Sequence, residues 1–345
     1  MADAAPTFRV SIEQIISLVD DDEDMDAIDR LSVLAYAKIL NDNGLPVLLS
    51  NSYLANLVGY SEEFLYRASN ASDLFYRSFN IKKANGANRE ISEPLPDLKI
   101  VQRAILSEIV NNIPIHKAAH AYRIGYSIKR NARLHLRQKF LLKMDICDFF
   151  PSISEMSVFK IFKSAGYTEP LAKLLSALTT VRGCLPQGAP TSAAISNIVM
   201  ASFDEDIFSY ARNNNLRYTR YADDIIISGD NISDSDIAFV RANIEERGFR
   251  VNDRKTKLFG PGAAKIVTGV AVDVRMRAPR QQRMNLRQEV HFVRTQGIQA
   301  HAERKGESAK ACLQRIKGRA SFMSWLDDSD EELKSYIRFL TEIQI

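Results

Sequence analysis

The stretch YTRYADDIIISG, residues 218–229, sets two adjacent carboxylates, Asp223 and Asp224, between aromatic residues and a run of isoleucines. The isoleucines favour a buried strand, and a tight bend at YADD makes the stretch a hairpin with the aspartates at its turn. Two like charges there raise each other's pKa and cost stability unless a cation offsets them. A third carboxylate, Asp145, sits in the apolar strand LLKMDICDFF, residues 141–150. If the two strands are neighbours, Asp145 and Asp223 meet at the edge of a sheet. Hard carboxylate oxygens suit Mg2+, which takes a few of them and completes its shell with water and phosphate. Two such ions about 4 Å apart activate an attacking hydroxyl and stabilise a departing pyrophosphate. A DD pair also suits an ordinary solvent-facing turn. Against that stand the apolar neighbours of Asp145 and Asp223, among which uncompensated carboxylates are expensive.

The chain of 345 residues is long enough for two or three packed substructures. Its 46% apolar and 26% charged residues are ordinary for a soluble globular protein. No apolar run reaches the length of a membrane span and the acidic N-terminus does not resemble a signal peptide, so a cytoplasmic protein without membrane contact is expected. Cys147, Cys184 and Cys312 lack metal-ligand spacing, which predicts reduced thiols. The net charge of +4 is small, but it is segregated. Residues 1–60 hold ten acidic and three basic side chains; residues 120–143 hold seven basic and none acidic; residues 271–320 hold twelve basic and four acidic. Such a distribution steers a polyanion to the middle and C-terminal parts, although solvated helix faces would give the same counts.

Apolar recurrence predicts helices within residues 9–60, with RLSVLAYAKILNDNG stopping at Gly44 and an acidic run from Asp20 to Asp29 as loop or helix start. DLFYRSFNIKKANGANREI (73–91) reads as two strands around an Asn85–Gly86 turn flanked by Lys82, Lys83 and Arg89, followed by a loop and a helix. Beyond LLKMDICDFF, the segment SISEMSVFKIFKSAG predicts a helix, and LPQGAPTSAAISN a turn running into one long helix. DSDIAFVRANIEERGF predicts a helix capped by Asp234 or Ser235. VNDRKTKLF and KIVTGVAV read as strands, and 280–345 as mainly helical. Helices and strands mix without a repeated βαβ period, an α+β pattern around an antiparallel sheet.

These motifs, in this order, resemble the reverse transcriptases. IKKANGANREI is similar to their basic fingers hairpin, MDICDFFPSI to the first palm motif, LPQGAPTSAAISN to the second, YADD to the catalytic third, and GFRVNDRKT to the lysine-bearing motif that follows. Ala193 departs from the proline usual in the second motif. NARLH (131–135) and VTG (267–269) resemble signatures of one branch, the bacterial retron reverse transcriptases. The resemblance implies a right-hand polymerase fold: an N-terminal helical region (1–72), fingers (73–140), an antiparallel-sheet palm (141–270) and a basic, mainly helical thumb (271–345).

It also implies roles. Asp145, Asp223, Asp224 and the carbonyl of Ile146 would hold two Mg2+ ions, and Lys255 would protonate or neutralise the departing pyrophosphate. Lys82 and Arg89 would hold the triphosphate of the incoming dNTP, and Gln187 its sugar or the template. Phe150 would exclude a 2′-hydroxyl, with Phe149 in the core, and Tyr221 would lie under the primer end. Asn131 and His135, four apart on a predicted helix, would hold RNA or serve packing and capping. Arg275, Arg277, Arg280, Arg283 and Arg287 would grip a template–primer duplex or a stem-loop, and Trp325 would anchor the last helices. The implied reaction starts from an internal 2′-hydroxyl of a cognate noncoding RNA and yields branched msDNA trimmed by host ribonuclease H, in anti-phage defence with a separate effector protein. Competing readings are an intron-type or abortive-infection reverse transcriptase, a two-metal nuclease or cyclase, and an inactive RNA-binding scaffold.

Overall fold

The computed structural model describes residues 11–20, 26–82, 86 and 88–344. Among them the chain gathers into two compact units, each built from three stretches. The first takes residues up to 123, then 146–207 and 241–252; the second takes 124–145, 208–240 and everything from 253.

The first unit is mostly helical. Asp26, from the acidic run, caps the helix Ala27–Asp42 by accepting from the Ile28 and Asp29 amides at 2.8 Å. Residues 21–25 of that run lie outside the described residues. The helices Asn51–Val58, Glu62–Asn70, Pro96–Glu108, Glu155–Ser164 and Glu169–Thr179 bury Leu54, Leu65, Val101, Ile105, Phe162 and Leu175. Against this core stands a hairpin of β1 (Tyr76–Lys82) and β2 (Asn88–Pro94). Its Lys83 and Asn85 lie outside the described residues. The segment expected as a loop after Ile91 continues β2 instead, because Pro94 comes last on its strand, where a missing amide breaks no ladder. The single long helix expected after LPQG is two, Ser192–Val199 and Ala201–Asn213. They part at the buried Met200, whose backbone (φ −82°, ψ 1°) has left the helical region.

The second unit holds the antiparallel sheet expected of an α+β protein: β3 (Phe140–Asp145), β4 (Arg217–Tyr221), β5 (Asp224–Gly229) and β6 (Lys257–Phe259), in the order β4-β5-β3-β6. With a strand on either side of β5, Ile225, Ile226 and Ile227 are fully buried, each worth about 1.5–3 kcal/mol. KIVTGVAV folds back on itself as β7 (Ile266–Val267) and β8 (Val270–Val272), and β9 (Met276–Arg277) completes a second sheet. The turn between β7 and β8 uses Thr268 and Gly269 at φ 45° and 80°, the geometry a two-residue hairpin loop needs. The helix Asp234–Glu246 is capped by Ser233, one residue earlier than expected. Ser233 accepts from the Asp236 amide at 3.2 Å while Asp236 accepts from the Ser233 amide at 2.7 Å, a reciprocal box.

Three helices close this unit: Arg280–Lys305, bent at Gly297 (φ 81°), Ala309–Leu326 and Glu331–Glu342. Leu286, Val290, Ile316 and Leu340 join Val270 and Val272 in one core. No helix among the described residues is long and apolar enough to cross a membrane.

Candidate active site

β3 lies beside β5 with Asp145 opposite Asp224, so the two strands that carry the sequence's suspect carboxylates are neighbours. The pairing partner of Asp145 is Asp224, while Asp223 sits in the two-residue turn that joins β4 to β5. Tyr221 ends β4 opposite Asp224, half-buried. That turn is strained: Ala222 has φ 56°, a region non-glycine residues rarely occupy. Arg220, fully buried, donates to the Ala222 carbonyl at 3.1 Å and braces the turn from within.

Two lysines balance the charge. Lys255 donates to Asp145 at 2.9 Å, and Lys143 to Asp224 at 2.9 Å. Asp145 is only 5% exposed, so its ion pair is well shielded from water on the carboxylate side. Burial pushes the Asp223 carboxyl above the usual range, and the charges of Asp145 and Asp224 push it further, against its own backbone amide and Lys255. The hydrogen bond to Asp145, with the charges of all three aspartates, holds the Lys255 ammonium above its usual range despite partial burial.

Among the described residues no three His, Cys, Asp or Glu side chains converge closely enough to hold a metal ion as they stand. Two of the three carboxylates are instead paired with lysines, Asp145 with Lys255 and Asp224 with Lys143. The donor set nonetheless fits a hard divalent cation: three carboxylates, one of them pushed toward protonation by burial and by the charges of the other two.

The remaining expected nucleotide contacts lie in the first unit. Arg89 and Lys82 are exposed on the hairpin, opposite Ile81 and Asn88. The LPQG turn docks on that hairpin: the Ser92 amide donates to the Gln187 carbonyl at 2.9 Å. A Cβ on Gly188 (φ 132°) would fall 2.9 Å from Ile91 Cγ2 and 3.0 Å from the Ser92 carbonyl oxygen, so glycine is what lets the turn come this close. Ser192 donates to the Pro186 carbonyl at 2.6 Å and fixes the turn's other side. Phe149 is buried against Phe249, with ring centroids 6.1 Å apart, while Phe150 is half-buried between Phe149 and Tyr122. The two differ in burial as expected, but in a turn with Asp148 at φ 44° rather than on a strand, because β3 ends at Asp145.

The family model described as "Reverse transcriptase (RNA-dependent DNA polymerase)" matches residues 81–292. The Retron Mx162 reverse transcriptase of Myxococcus xanthus is 32% identical, over 88% of this chain and 68% of its own length. The Retron Mx65 reverse transcriptase of the same organism is 33% identical over 75% and 66%, and the Retron Ec86 reverse transcriptase of Escherichia coli 28% over 88% and 91%. The chain belongs to the retron reverse transcriptases. It is an enzyme, an RNA-directed DNA polymerase.

Within this retron reverse transcriptase the expected RNA contacts divide sharply. Asn131 and His135 are both 0% exposed, which corrects the expectation that they touch RNA. The helix Ile128–Arg133 ends before His135, whose ring instead bonds Ser228 on β5 at 2.7 Å and Thr219 on β4 at 2.8 Å. Asn131 reaches Thr268 of the VTG turn at 3.5 Å. Arg275 and Arg277 pair with Asp327 at 3.5 and 3.1 Å, and Arg287 holds Glu332 through two bonds of 3.0 and 2.7 Å. Arg280 and Arg283 have no ion pair among the described residues and line a cavity of 580 Å3 with Lys265. Trp325 is 45% exposed and anchors nothing in the core.

Two residues of the site escaped the sequence. Lys143 had a signal, since it stands two before Asp145 and strand periodicity puts both on one face. Arg220 had none, because a lone arginine in an exposed-looking hairpin gives no sign that it lies buried under the turn.

Proposed function

We propose that this retron reverse transcriptase copies part of a cognate noncoding RNA, starting from an internal 2′-hydroxyl, and so makes a branched RNA–DNA product, msDNA. The observation that carries the catalytic part is the placement of Asp145, Asp223 and Asp224 at one end of β3 and β5, with Asp223 on a strained turn braced by a buried arginine. Costly carboxylates and backbone strain kept together are what a functional site retains.

Asp145, Asp223, Asp224 and the carbonyl of Ile146 would hold two Mg2+ ions. Bound there, the metal would ease deprotonation of the attacking hydroxyl and offset charge on the pyrophosphate. Lys255 serves in this reading as a placeholder that neutralises Asp145 and, once released from it, meets the pyrophosphate. Arg89 and Lys82 neutralise the dNTP triphosphate, with the guanidinium suited to bidentate contact. Gln187 contacts the nucleotide sugar or template, Phe150 excludes ribonucleotides, and Tyr221 supports the primer end. The regions 73–140, 141–270 and 271–345 act as fingers, palm and thumb, and Arg280 and Arg283 meet the phosphates of a template–primer duplex or RNA stem-loop. The setting is cytoplasmic anti-phage defence, with host ribonuclease H trimming the template and a separate effector protein as partner.

The test is Mg2+-dependent incorporation of labelled dNTPs by the full chain on the RNA encoded beside its gene, with Asp223→Asn/Asp224→Asn as control. Labelled DNA joined covalently to RNA, and lost in the variant, is the expected result. Extension only of an added primer would move the enzyme out of the self-priming class. RNA binding without incorporation on any template would leave a scaffold.

A further inference from the structure

The only tryptophan of the chain stands on the surface with a second aromatic beside it. Trp325 (45% exposed) and Phe322 (38% exposed) are three residues apart on the helix Ala309–Leu326, with ring centroids 6.0 Å apart. Lys129, on the short helix Ile128–Arg133, places its ammonium 5.4 Å from the Trp325 ring centroid and donates to the Trp325 carbonyl. Next in sequence, the Arg130 guanidinium lies 3.8 Å over the ring of Tyr126. Arg130 and Arg133 are exposed, and residues 120–143 contain no acidic side chain at all. Of the carboxylates next in sequence, Asp327 is buried and held by Arg277 and Arg275, and Asp328 is exposed.

Exposed rings lose free energy in water, and neither ring belongs to the hydrophobic core of the closing helices. An apolar protein surface would be a poor cover, since it would strip water from Lys129, Arg130 and Arg133 without offering them a charge. A nucleic acid offers both halves of the match: phosphates for the cations and base faces for the rings. Paired bases do not expose their faces, so the rings select an unpaired segment. We propose that Phe322 and Trp325, with Lys129 at the Trp325 ring and the exposed Arg130 and Arg133 on the same short helix as Lys129, form a stacking platform for an unpaired nucleotide of the RNA. The proposal rests on the reading of the chain as an RNA-copying enzyme and adds a place where single-stranded RNA is held, on residues outside the catalytic strands.

Because Trp325 is unique, its emission reports the platform directly. The full chain would be titrated with a fluorescein-labelled RNA hairpin carrying an unpaired loop, and with a blunt RNA duplex of equal length. Anisotropy of the label records total binding while tryptophan emission records stacking, and primer extension on an RNA template is run alongside. Quenching that follows the anisotropy for the looped RNA, and is absent for the bound duplex, is the expected result. Phe322→Ala and Trp325→Ala should each weaken looped-RNA binding about tenfold, the loss of roughly one base–aromatic stack, with Trp325→Tyr restoring most of it. Circular dichroism melts of each variant separate this from unfolding. Binding with unchanged emission and unchanged variant affinities would overturn the proposal while leaving the polymerase intact. Equal quenching by the duplex would overturn it too, in favour of helix-backbone binding. No RNA binding and no extension by the wild type would remove the underlying reading and the platform with it.

Discussion

Asp223 carries a charge that its surroundings oppose: burial first, then Asp145 and Asp224. Its raised pKa means the ionised form is the one the fold disfavours, so at neutral pH the residue subtracts from stability when no divalent cation is present. Asp223→Asn should therefore raise the melting temperature of the metal-free protein by roughly 1–3 °C, about what the relief of ~1 kcal/mol gives in a chain of this size, while abolishing dNTP incorporation. A lower melting point in differential scanning fluorimetry would show the carboxylate already satisfied. Phe150→Ala is expected to raise ribonucleotide use relative to dNTP by about tenfold or more in single-nucleotide incorporation, the scale on which removing a steric wall shifts discrimination. Unchanged discrimination would return Phe150 to the aromatic cluster of Phe149 and Tyr122. At this scale the three aspartates were legible because acids among isoleucines are costly and therefore conspicuous. Lys143 and Arg220 were obscure because a cation's partner is a matter of three-dimensional register.

Elements were legible where local chemistry alone decides them and obscure where packing overrides it. The hairpin turn of YADD follows from residue type and spacing, whereas the cap of Asp234–Glu246 falls on Ser233, one residue before the two expected. The break at Met200 and the fold-back of KIVTGVAV do not follow in this way, since both depend on which apolar residues find the core. The LPQG turn and the β1–β2 hairpin form one such packed joint. Gly188→Ala should cost about 1–3 kcal/mol from its positive φ and its clash with Ile91 and Ser92, and should raise KM for dNTP by shifting Gln187. Steady-state kinetics with an unmoved KM would detach that turn from nucleotide binding. Further along, burial raises the Asp327 carboxyl, but the hydrogen bonds from Ser329 and Arg277 outweigh it and hold the group below the usual carboxylate range. A depressed folded pKa gives stability that is present above the unfolded value of about 3.9 and lost as pH falls through the folded one. Asp327→Asn should thus melt earlier than wild type at pH 7, with the gap narrowing in thermal melts as the pH falls below the unfolded value. A gap that does not narrow with acid would mean Asp327 acts by shape and not by charge.

For the whole molecule, the sequence showed where basic residues concentrate but not which of them are already occupied. Arg275, Arg277 and Arg287 hold acidic groups of the last helices and their preceding loop, while Arg280 and Arg283 make no ion pair among the described residues and Arg283 acts on Glu332 only through its charge. Arg280→Ala/Arg283→Ala should weaken RNA binding and flatten its log K against log salt slope by roughly 0.7–0.9 for each phosphate no longer neutralised, whereas Arg287→Ala should lower the melting point and leave the slope alone. Filter binding across salt concentrations checks both, and an unchanged slope in the double variant would move the RNA elsewhere. The two-unit organisation was also hidden, because each unit is assembled from distant stretches of chain and composition does not change at the crossings. That long-range assembly gives the buried imidazole of His135 a consequence of its own. A neutral ring has one donor and one acceptor, and here each is met by a hydroxyl on a different strand of the catalytic hairpin. A one-residue slip of β4 against β5 would turn Thr219 or Ser228 to the opposite face and strand a ring nitrogen without water. The buried ring of His135 thus favours the one register of β4 and β5 that leaves Asp223 at the bend.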